Sequence, residues 1–181
     1  MIRTIFAATD GSDHANKALK LASDLAAKYR ARLILLHVPL FNASSETLKA
    51  VATRSRLSKS LRDLLDTYEA DFQLKVASAG IGAGAGLGFA FAPPPRELID
   101  AISGQIMTRA EKIAAKAGVK KVTPLVAEGD PADVILNLAA SHKVDMIVLG
   151  SRGLSDFKGL LVGSVSHKVG AQADCSCITV K

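Results

Sequence analysis

Short apolar runs alternate along this chain with longer segments in which apolar residues recur every three or four positions. Runs of this kind predict buried strands, whereas the three-to-four spacing predicts amphipathic helices. The predicted strands are residues 2–8, 32–38, 122–127, 145–150 and 177–180. The predicted helices are residues 13–30, about 95–118, the segment after Asp130, and 165–173. Strands alternating with helices form right-handed βαβ units, so the pattern predicts an α/β fold with a parallel sheet covered on both faces.

More than eighty residues separate the second predicted strand from the third, which is more than one crossover helix needs. We therefore predict a single domain over residues 1–181 that carries an insertion at about 42–95. Residues 44–72 have the apolar spacing of a further amphipathic helix, and residues 79–95 are rich in glycine, alanine and proline. For residues 79–95 three roles remain open, namely a surface loop, a lid over a site, or a partner-binding segment.

The composition narrows the class of protein. Apolar residues make up 49% of the chain and charged residues 22%, which is ordinary for a globular domain. The chain has no Trp and 4% aromatic residues, and its basic residues are interspersed with acidic ones, so the net charge of +6 does not indicate a nucleic-acid surface. No apolar run reaches the ~18 residues of a membrane span, and no signal peptide is visible. With only two cysteines, we expect a reduced, cytoplasmic protein.

A glycine-rich connection follows the fourth predicted strand. Gly150-Ser151-Arg152-Gly153 is separated by nine residues from Gly163-Ser164, which opens the last predicted helix. Gly150 and Gly153 permit positive φ and close approach of the backbone, and a helix N-terminus presents N–H groups to an anion. The side chains that add hydrogen-bond donors or positive charge are those of Ser164, Ser166, Arg152 and Lys158. The connection therefore predicts a phosphate site.

Two further segments end at the same edge of the predicted sheet. Ligands of open parallel sheets bind at this edge, beyond the carboxyl ends of the strands. Asp10 follows the first strand and Val38 closes the second. Asp10 has two interpretations, a ligand for ribose or for phosphate through a metal, or a cap for helix 13–30. Ser12 and Asp130 are the predicted N-caps of the helices that follow them.

Efficient catalysis is not predicted. The chain contains no G-x-x-x-x-G-K-[ST] phosphate loop and no Ser/His/Asp arrangement, and Asp10 is the one carboxylate expected near the phosphates. His37 is predicted to be a buried, hydrogen-bonded histidine, and no histidine is assigned to a metal. Cys175 and Cys177 are predicted to be buried strand residues, with a thiol sensor or metal pair as the alternative.

The spacing G-x2-G-x9-G-[ST], the opening Ala8-Thr9-Asp10-Gly11-Ser12 and the turn Glu128-Gly129-Asp130-Pro131 resemble the universal stress protein family, in its ATP-binding branch. The resemblance covers residues 1–40 and 96–181. It implies a Rossmann-like fold of the adenine nucleotide alpha hydrolase type, in which three layers enclose a five-stranded parallel sheet of order 3-2-1-4-5. It also implies binding of ATP, AMP or ADP with Mg or Mn, and a homodimer formed through the last strand.

The resemblance also assigns roles to individual positions. Ala8, Thr9 and Asp10 would surround adenine and ribose, and Val38 would contact the base. The residues along ribose and phosphates would be Leu149, Gly150, Arg152, Gly153, Gly163, Ser164, Val165 and Ser166. By this analogy the chain is an ATP-binding regulator in the stress response, with at most slow hydrolysis or autophosphorylation. The alternative is a nucleotide-independent module that regulates a protein partner such as a transporter.

Overall fold

Five parallel strands form one sheet in the computed structural model, which describes residues 1–39, 57–78, 94–154 and 163–181. The strands are β1 (Thr4–Ala8), β2 (Arg32–His37), β3 (Val122–Val126), β4 (Met146–Gly150) and β5 (Ser176–Val180). Their order is β3-β2-β1-β4-β5 and every pairing is parallel. Each predicted strand is therefore confirmed, with ends that differ by at most two residues, and so is the predicted order.

Helices connect the strands. They are α1 (Asp13–Tyr29), α2 (Lys59–Ser78), α3 (Arg96–Lys116), α4 (Pro131–Ser141) and α5 (Ser164–Gln172). The prediction of a helix over 44–72 is wrong at two places, because Leu57 and Ser58 precede the helix and α2 continues to Ser78. Residues 73–78 contain no glycine or proline, and Lys75 pairs with Asp71 one turn earlier at 2.7 Å. Residues 44–56 and 79–93 lie outside the described ranges, so the predictions for them stay predictions.

Two helix starts have the side-chain caps that the sequence predicts. The Ser12 hydroxyl accepts a hydrogen bond from the Ala15 N–H at 3.2 Å at the start of α1. The Asp130 carboxylate accepts the N–H groups of Ala132 and Asp133, both at 3.1 Å, at the start of α4. Each cap satisfies donors that have no partner within the helix. Both caps lie at the carboxyl edge of the sheet, so they also set how the loops there begin.

Each face of the sheet is covered by its own core. Successive strand residues point to opposite faces. Toward α1 and α3 the strands contribute Ile5, Ala7, Leu33, Leu35 and Val148. Toward α4 and α5 they contribute Phe6, Ile34, Leu36, Ile147 and Leu149. All ten are buried, as expected for inner strands of a parallel sheet, and this explains their nearly continuous apolar sequences.

A third apolar cluster joins α2 to α3, and we refer to it as the α2–α3 cluster. Its buried members are Leu57, Leu65, Leu98, Ile99, Ile102, Ile106 and Leu154, and the half-buried Leu61 and Tyr68 pack against it. Leu154 comes from neither helix. It follows directly after Gly153, so the glycine-rich connection after β4 is part of the packing that holds α2.

Candidate functional site

A cavity of about 280 Å³ opens at the carboxyl edge of the sheet, beside the ends of β1, β2 and β4. Every residue that the sequence assigns to the site lies on its lining. These are Ala8, Thr9, Asp10, Val38, Leu149, Gly150, Arg152, Gly153, Gly163, Ser164, Val165 and Ser166. Three separate parts of the chain thus meet at the place where the order of strands reverses, which is where open α/β sheets bind ligands. Lys158, also predicted here, lies outside the described residues.

Thr9 holds the end of β1 against the end of β2. Its N–H donates to the carbonyl of Leu36 at 2.8 Å, and its carbonyl lies 2.8 Å from Nδ1 of His37. Its hydroxyl accepts the N–H of Gly11 at 3.2 Å, and the side chain is buried. Thr9 is therefore fixed by three hydrogen bonds, and it gives the cavity a rigid wall.

Asp10 links β1 to the glycine-rich connection. One carboxylate oxygen accepts the N–H of Ser12 at 2.9 Å, and the other accepts the N–H of Leu154, also at 2.9 Å. The cap of α1 is Ser12, so the interpretation of Asp10 as that cap is wrong. Asp10 instead closes a short turn and spans 144 residues of sequence to hold the loop after β4.

Gly150 and Gly153 are needed for space. A Cβ atom at Gly150 would lie 2.8 Å from both the Ala15 nitrogen and the His14 carbonyl carbon, and one at Gly153 would lie 2.6 Å from Oδ2 of Asp10. Neither glycine has positive φ, in contrast to Gly11, Gly118 and Gly129. The sequence was thus right about close approach and wrong about φ. Glycine at 150 lets β4 end against α1, and glycine at 153 lets the loop reach the carboxylate.

The start of α5 is held from within the loop. The Gly163 N–H donates to the Ser151 carbonyl at 2.7 Å, and the Ser166 hydroxyl lies 3.0 Å from the carbonyls of both Ser151 and Gly163. The one hydroxyl proton of Ser166 is thus used inside the protein, which corrects its prediction as a donor to phosphate. Ser164 is exposed and lines the cavity. The first N–H groups of α5 have no partner inside the helix, so they remain suited to an anion.

Five lining residues were missed from the sequence, namely Ala15, Leu36, Pro131, Ile135 and Leu154. Pro131 and Ile135 belong to the first turns of α4, which stands beside the cavity. The turn Glu128-Gly129-Asp130-Pro131 marked the start of this helix, but nothing in its sequence shows how far the helix leans over the sheet. Leu154 could have been suspected because it follows Gly153 directly.

His37 is a buried structural histidine, as predicted. Its side chain is 5% exposed, and Nδ1 contacts the Thr9 carbonyl at 2.8 Å. Burial lowers the pKa of His37 below its usual value, and this outweighs the opposite effects of the Thr9 hydrogen bond and the Asp10 charge. The neutral ring therefore donates from Nδ1 and joins the ends of β1 and β2.

Neither cysteine has the environment of a reactive thiol. Cys177 lies in β5 and Cys175 just before it, and both are half-buried and free of disulfides, so the prediction of two buried strand residues is wrong. Burial raises the pKa of both thiols, helped by Asp174 and Asp145 near Cys175 and by Cys175 near Cys177. A raised pKa lowers the thiolate fraction, so the sensor alternative loses support. Across the ranges that the structure describes, no three His, Cys, Asp or Glu side chains are grouped as a metal site.

Comparison with known proteins identifies the family to which this chain belongs. The profile of the universal stress protein family matches residues 1–181. The chain belongs to the universal stress protein family. The match includes residues 42–95, which the motifs alone left outside the resemblance. Universal stress protein YxiE of Bacillus subtilis is 32% identical over 181 residues, and the alignment covers all of both chains.

Solved universal stress proteins share the fold. One, determined in complex with cAMP, is 22% identical with a TM-score of 0.59, and the match covers 99% of this chain and 97% of that one. Another, from Archaeoglobus fulgidus and in complex with dAMP, is 16% identical with a TM-score of 0.57, covering 100% and 98%. Among the helices of this chain that are described, none is long and apolar enough to cross a membrane.

Proposed function

We propose that this universal stress protein binds an adenine nucleotide, ATP in particular, and that the nucleotide regulates its contacts with other proteins. One observation carries the proposal. The residues assigned from separate parts of the sequence, at the ends of β1, β2 and β4 and the start of α5, line a single cavity. Such a meeting of strand ends with a glycine-rich loop and a helix N-terminus suits a nucleotide.

The lining of the cavity combines two kinds of chemistry, as a nucleotide requires. Val38, Leu149, Pro131 and Ile135 provide apolar side chains against which a purine base would pack. Thr9 and Asp10 stand at the end of β1, where backbone and carboxylate oxygens would accept hydrogen bonds from ribose hydroxyls. This side would therefore hold the nucleoside.

The glycine-rich loop and the start of α5, which we call the phosphate side, suit phosphates. Gly153 and Gly163 keep it free of side chains, and the first turn of α5 directs N–H groups toward it. Arg152 lines the same region, and a guanidinium can donate two parallel hydrogen bonds to a phosphate. Mg or Mn would be bound by Asp10 together with the phosphates, because Mg commonly uses one or two carboxylates plus substrate oxygens. The metal would screen phosphate charge, while Asp10 would orient the loop.

Two relatives of the same fold support an adenine nucleotide as the ligand. The solved structures named above were determined with cAMP and with dAMP, and both ligands carry adenine. The preference for ATP over a monophosphate rests on the G-x2-G-x9-G-[ST] spacing, which resembles the ATP-binding branch of the family.

A regulatory role is favoured over efficient catalysis. Among the lining residues that the structure describes, Asp10 is the one carboxylate, and each of its oxygens already accepts a backbone N–H. A general base needs an oxygen or nitrogen within reach of the proton that it removes. His37 is engaged with Thr9 instead. The cavity is therefore better equipped to hold ATP than to cleave it.

Mass spectrometry of the denatured purified protein would reveal co-purified ATP, ADP or AMP. Thermal unfolding with millimolar ATP and Mg then tests binding directly, since a ligand at about 100 times its Kd stabilises by about 2.7 kcal/mol. Gly153→Ala should abolish the shift because its Cβ would displace the Asp10 carboxylate. Gly170→Ala is the matched control, since its Cβ meets no atom within 4 Å. An unshifted wild-type melt would reject the nucleotide and favour an interaction module.

We also propose that the chain forms a homodimer through β5. Both β3 and β5 are edges of the sheet, but Pro124 blocks the β3 edge. Lys121 and Ala127 bond to β2, so Pro124, at an alternate position, faces outward and has no N–H to offer. On β5 the carbonyl of Val180 bonds inward to Ser151, and Thr179 faces outward. Sedimentation should show a dimer that Thr179→Pro dissociates. A monomeric wild type would reject this assembly.

A further inference from the structure

Leu154 lies where the candidate nucleotide cavity meets the α2–α3 cluster. Its backbone N–H donates to Oδ2 of Asp10 at 2.9 Å, and the residue lines the cavity. Its side chain is 6% exposed and belongs to the same apolar cluster as Leu65 of α2 and Ile102 of α3. One residue thus takes part in both the ligand site and the packing of two helices.

The loop after β4 depends on this residue for its position. Gly153 has no side chain, and a Cβ there would lie 2.6 Å from Oδ2 of Asp10 and displace that carboxylate. Leu154 is therefore the first side chain after Gly153 that can hold the loop in the core. If the leucine left its place, the N–H bonded to Asp10 would move with it, and so would the backbone of Gly153. The shape of the phosphate side therefore depends on how Leu154 is packed.

The α2–α3 cluster also holds α2 against the rest of the protein. Leu65 is buried in it, with Leu61 and Tyr68 packed at its margin. The side chains described in the last turns of α2 are exposed, and Leu74 is 69% exposed. The attachment of α2 thus rests on the cluster to which Leu154 contributes.

We propose that Leu154 is a positioning residue that couples nucleotide binding to the packing of α2 on α3. The inference rests on the proposed function, because it requires a nucleotide in the cavity. Binding at the loop holds Asp10, Gly153 and Leu154 in place, and the seated leucine stabilises the cluster that retains α2. The coupling acts equally in both directions, since linkage between two equilibria is reciprocal. Nucleotide binding would then change how firmly α2 is held at the protein surface.

Three substitutions separate this role from general stability. Leu154→Ala and Ile106→Ala each shorten a buried side chain of the same cluster, but Ile106 does not line the cavity. Leu154→Met keeps most of the volume. The free energy of unfolding is measured without nucleotide, and the Kd for ATP with Mg by calorimetry. We expect Leu154→Ala to weaken ATP binding about tenfold, equivalent to about 1.4 kcal/mol. Ile106→Ala should lose less affinity than Leu154→Ala, because it loosens the cluster without emptying the position at the loop. Leu154→Met should stay within about twofold of the wild type, because it keeps most of the volume.

Hydrogen exchange in the wild-type protein tests the reverse direction and does not depend on any variant folding. Amides in the first half of α2 should exchange about tenfold more slowly with ATP present, because reciprocity requires the same factor. In Leu154→Ala this protection should disappear. Equal exchange with and without ATP would overturn the coupling, as would equal losses of affinity in Leu154→Ala and Ile106→Ala. Absence of ATP binding to the wild type would instead reject the proposed function, and the coupling with it.

Discussion

Adding one methyl group at Gly150 tests how tightly the end of β4 packs against the start of α1. The Cβ of Gly150→Ala would lie 2.8 Å from the Ala15 nitrogen and from the His14 carbonyl carbon. Both are backbone atoms of the first turn of α1, so neither can rotate away as a side chain would. The Ala15 N–H also donates to the Ser12 hydroxyl at 3.2 Å. The substitution therefore has to move α1 or β4 by several tenths of an ångström and disturb the cap.

The magnitude follows from these two effects. Overpacking in a well-filled interior typically costs about 1–3 kcal/mol, and loss of a serine cap costs about 1 kcal/mol. Alanine also restricts the unfolded chain, which offsets about 0.4–1 kcal/mol. We therefore expect Gly150→Ala to lower the free energy of unfolding by about 1–3.5 kcal/mol.

Urea unfolding without nucleotide, followed by circular dichroism, provides the measurement. The midpoint should fall while the slope stays unchanged, because the change lies in the native state. Gly170→Ala in α5 is the control, since it is exposed and its Cβ meets no atom within 4 Å. It should stabilise the protein by about 0.5–1 kcal/mol through helix propensity. If Gly150→Ala were as stable as the wild type, β4 would not pack against α1 as described, and the reasoning would be refuted.

Two further predictions concern charge. Because the pKa of His37 is lowered in the folded protein, the unfolded chain takes up the proton at a higher pH than the folded one. The contribution of His37 to the free energy of unfolding should therefore be fully present above the usual pKa of 6.5 and fall as the pH drops below it. Titrating ΔG of unfolding from pH 7.5 to 5.5 should show this decline in the wild type and in the exposed control His167→Asn, and a flatter profile in His37→Asn; equal profiles would contradict the assignment. Asp130→Ala should cost about 1 kcal/mol, because Asp130 caps two N–H groups of α4. Lys168→Ala, which removes only that residue's surface ion pairs with Asp130 and Asp133, should cost less than Asp130→Ala, and urea midpoints for the two variants would show if the order is reversed.

The fold was largely readable from local sequence because each element has a local cause. Strand β2 reads as an apolar run because it is buried on both faces, and α1 shows its cap in Ser12 and its buried stripe in its spacing. The error at α2 has a local cause as well. Its final residues lack regular apolar spacing because the side chains described there are exposed. No glycine or proline interrupts the helix, however.

The candidate site was predicted less completely, since a cavity is made by elements that are distant in sequence. The glycine spacing indicated where the backbone closely approaches another group, but it did not indicate which group. In the structure Gly150 meets the first turn of α1 and Gly153 meets Asp10. Likewise, the single hydroxyl proton of Ser166 is directed inward by Ser151, fifteen residues earlier, which no local pattern records.

By itself, the sequence determined the α/β class, the order of helices and strands, the family, and the three segments that form the site. Each of these depends on apolar periodicity or on a short motif, and both are local properties of the chain. Only the tertiary structure decided that Asp10 holds the loop after β4, that α4 supplies part of the cavity, and that Leu154 joins the cavity to α2. These contacts join residues far apart in the chain, and they arise from how the helices pack on the sheet.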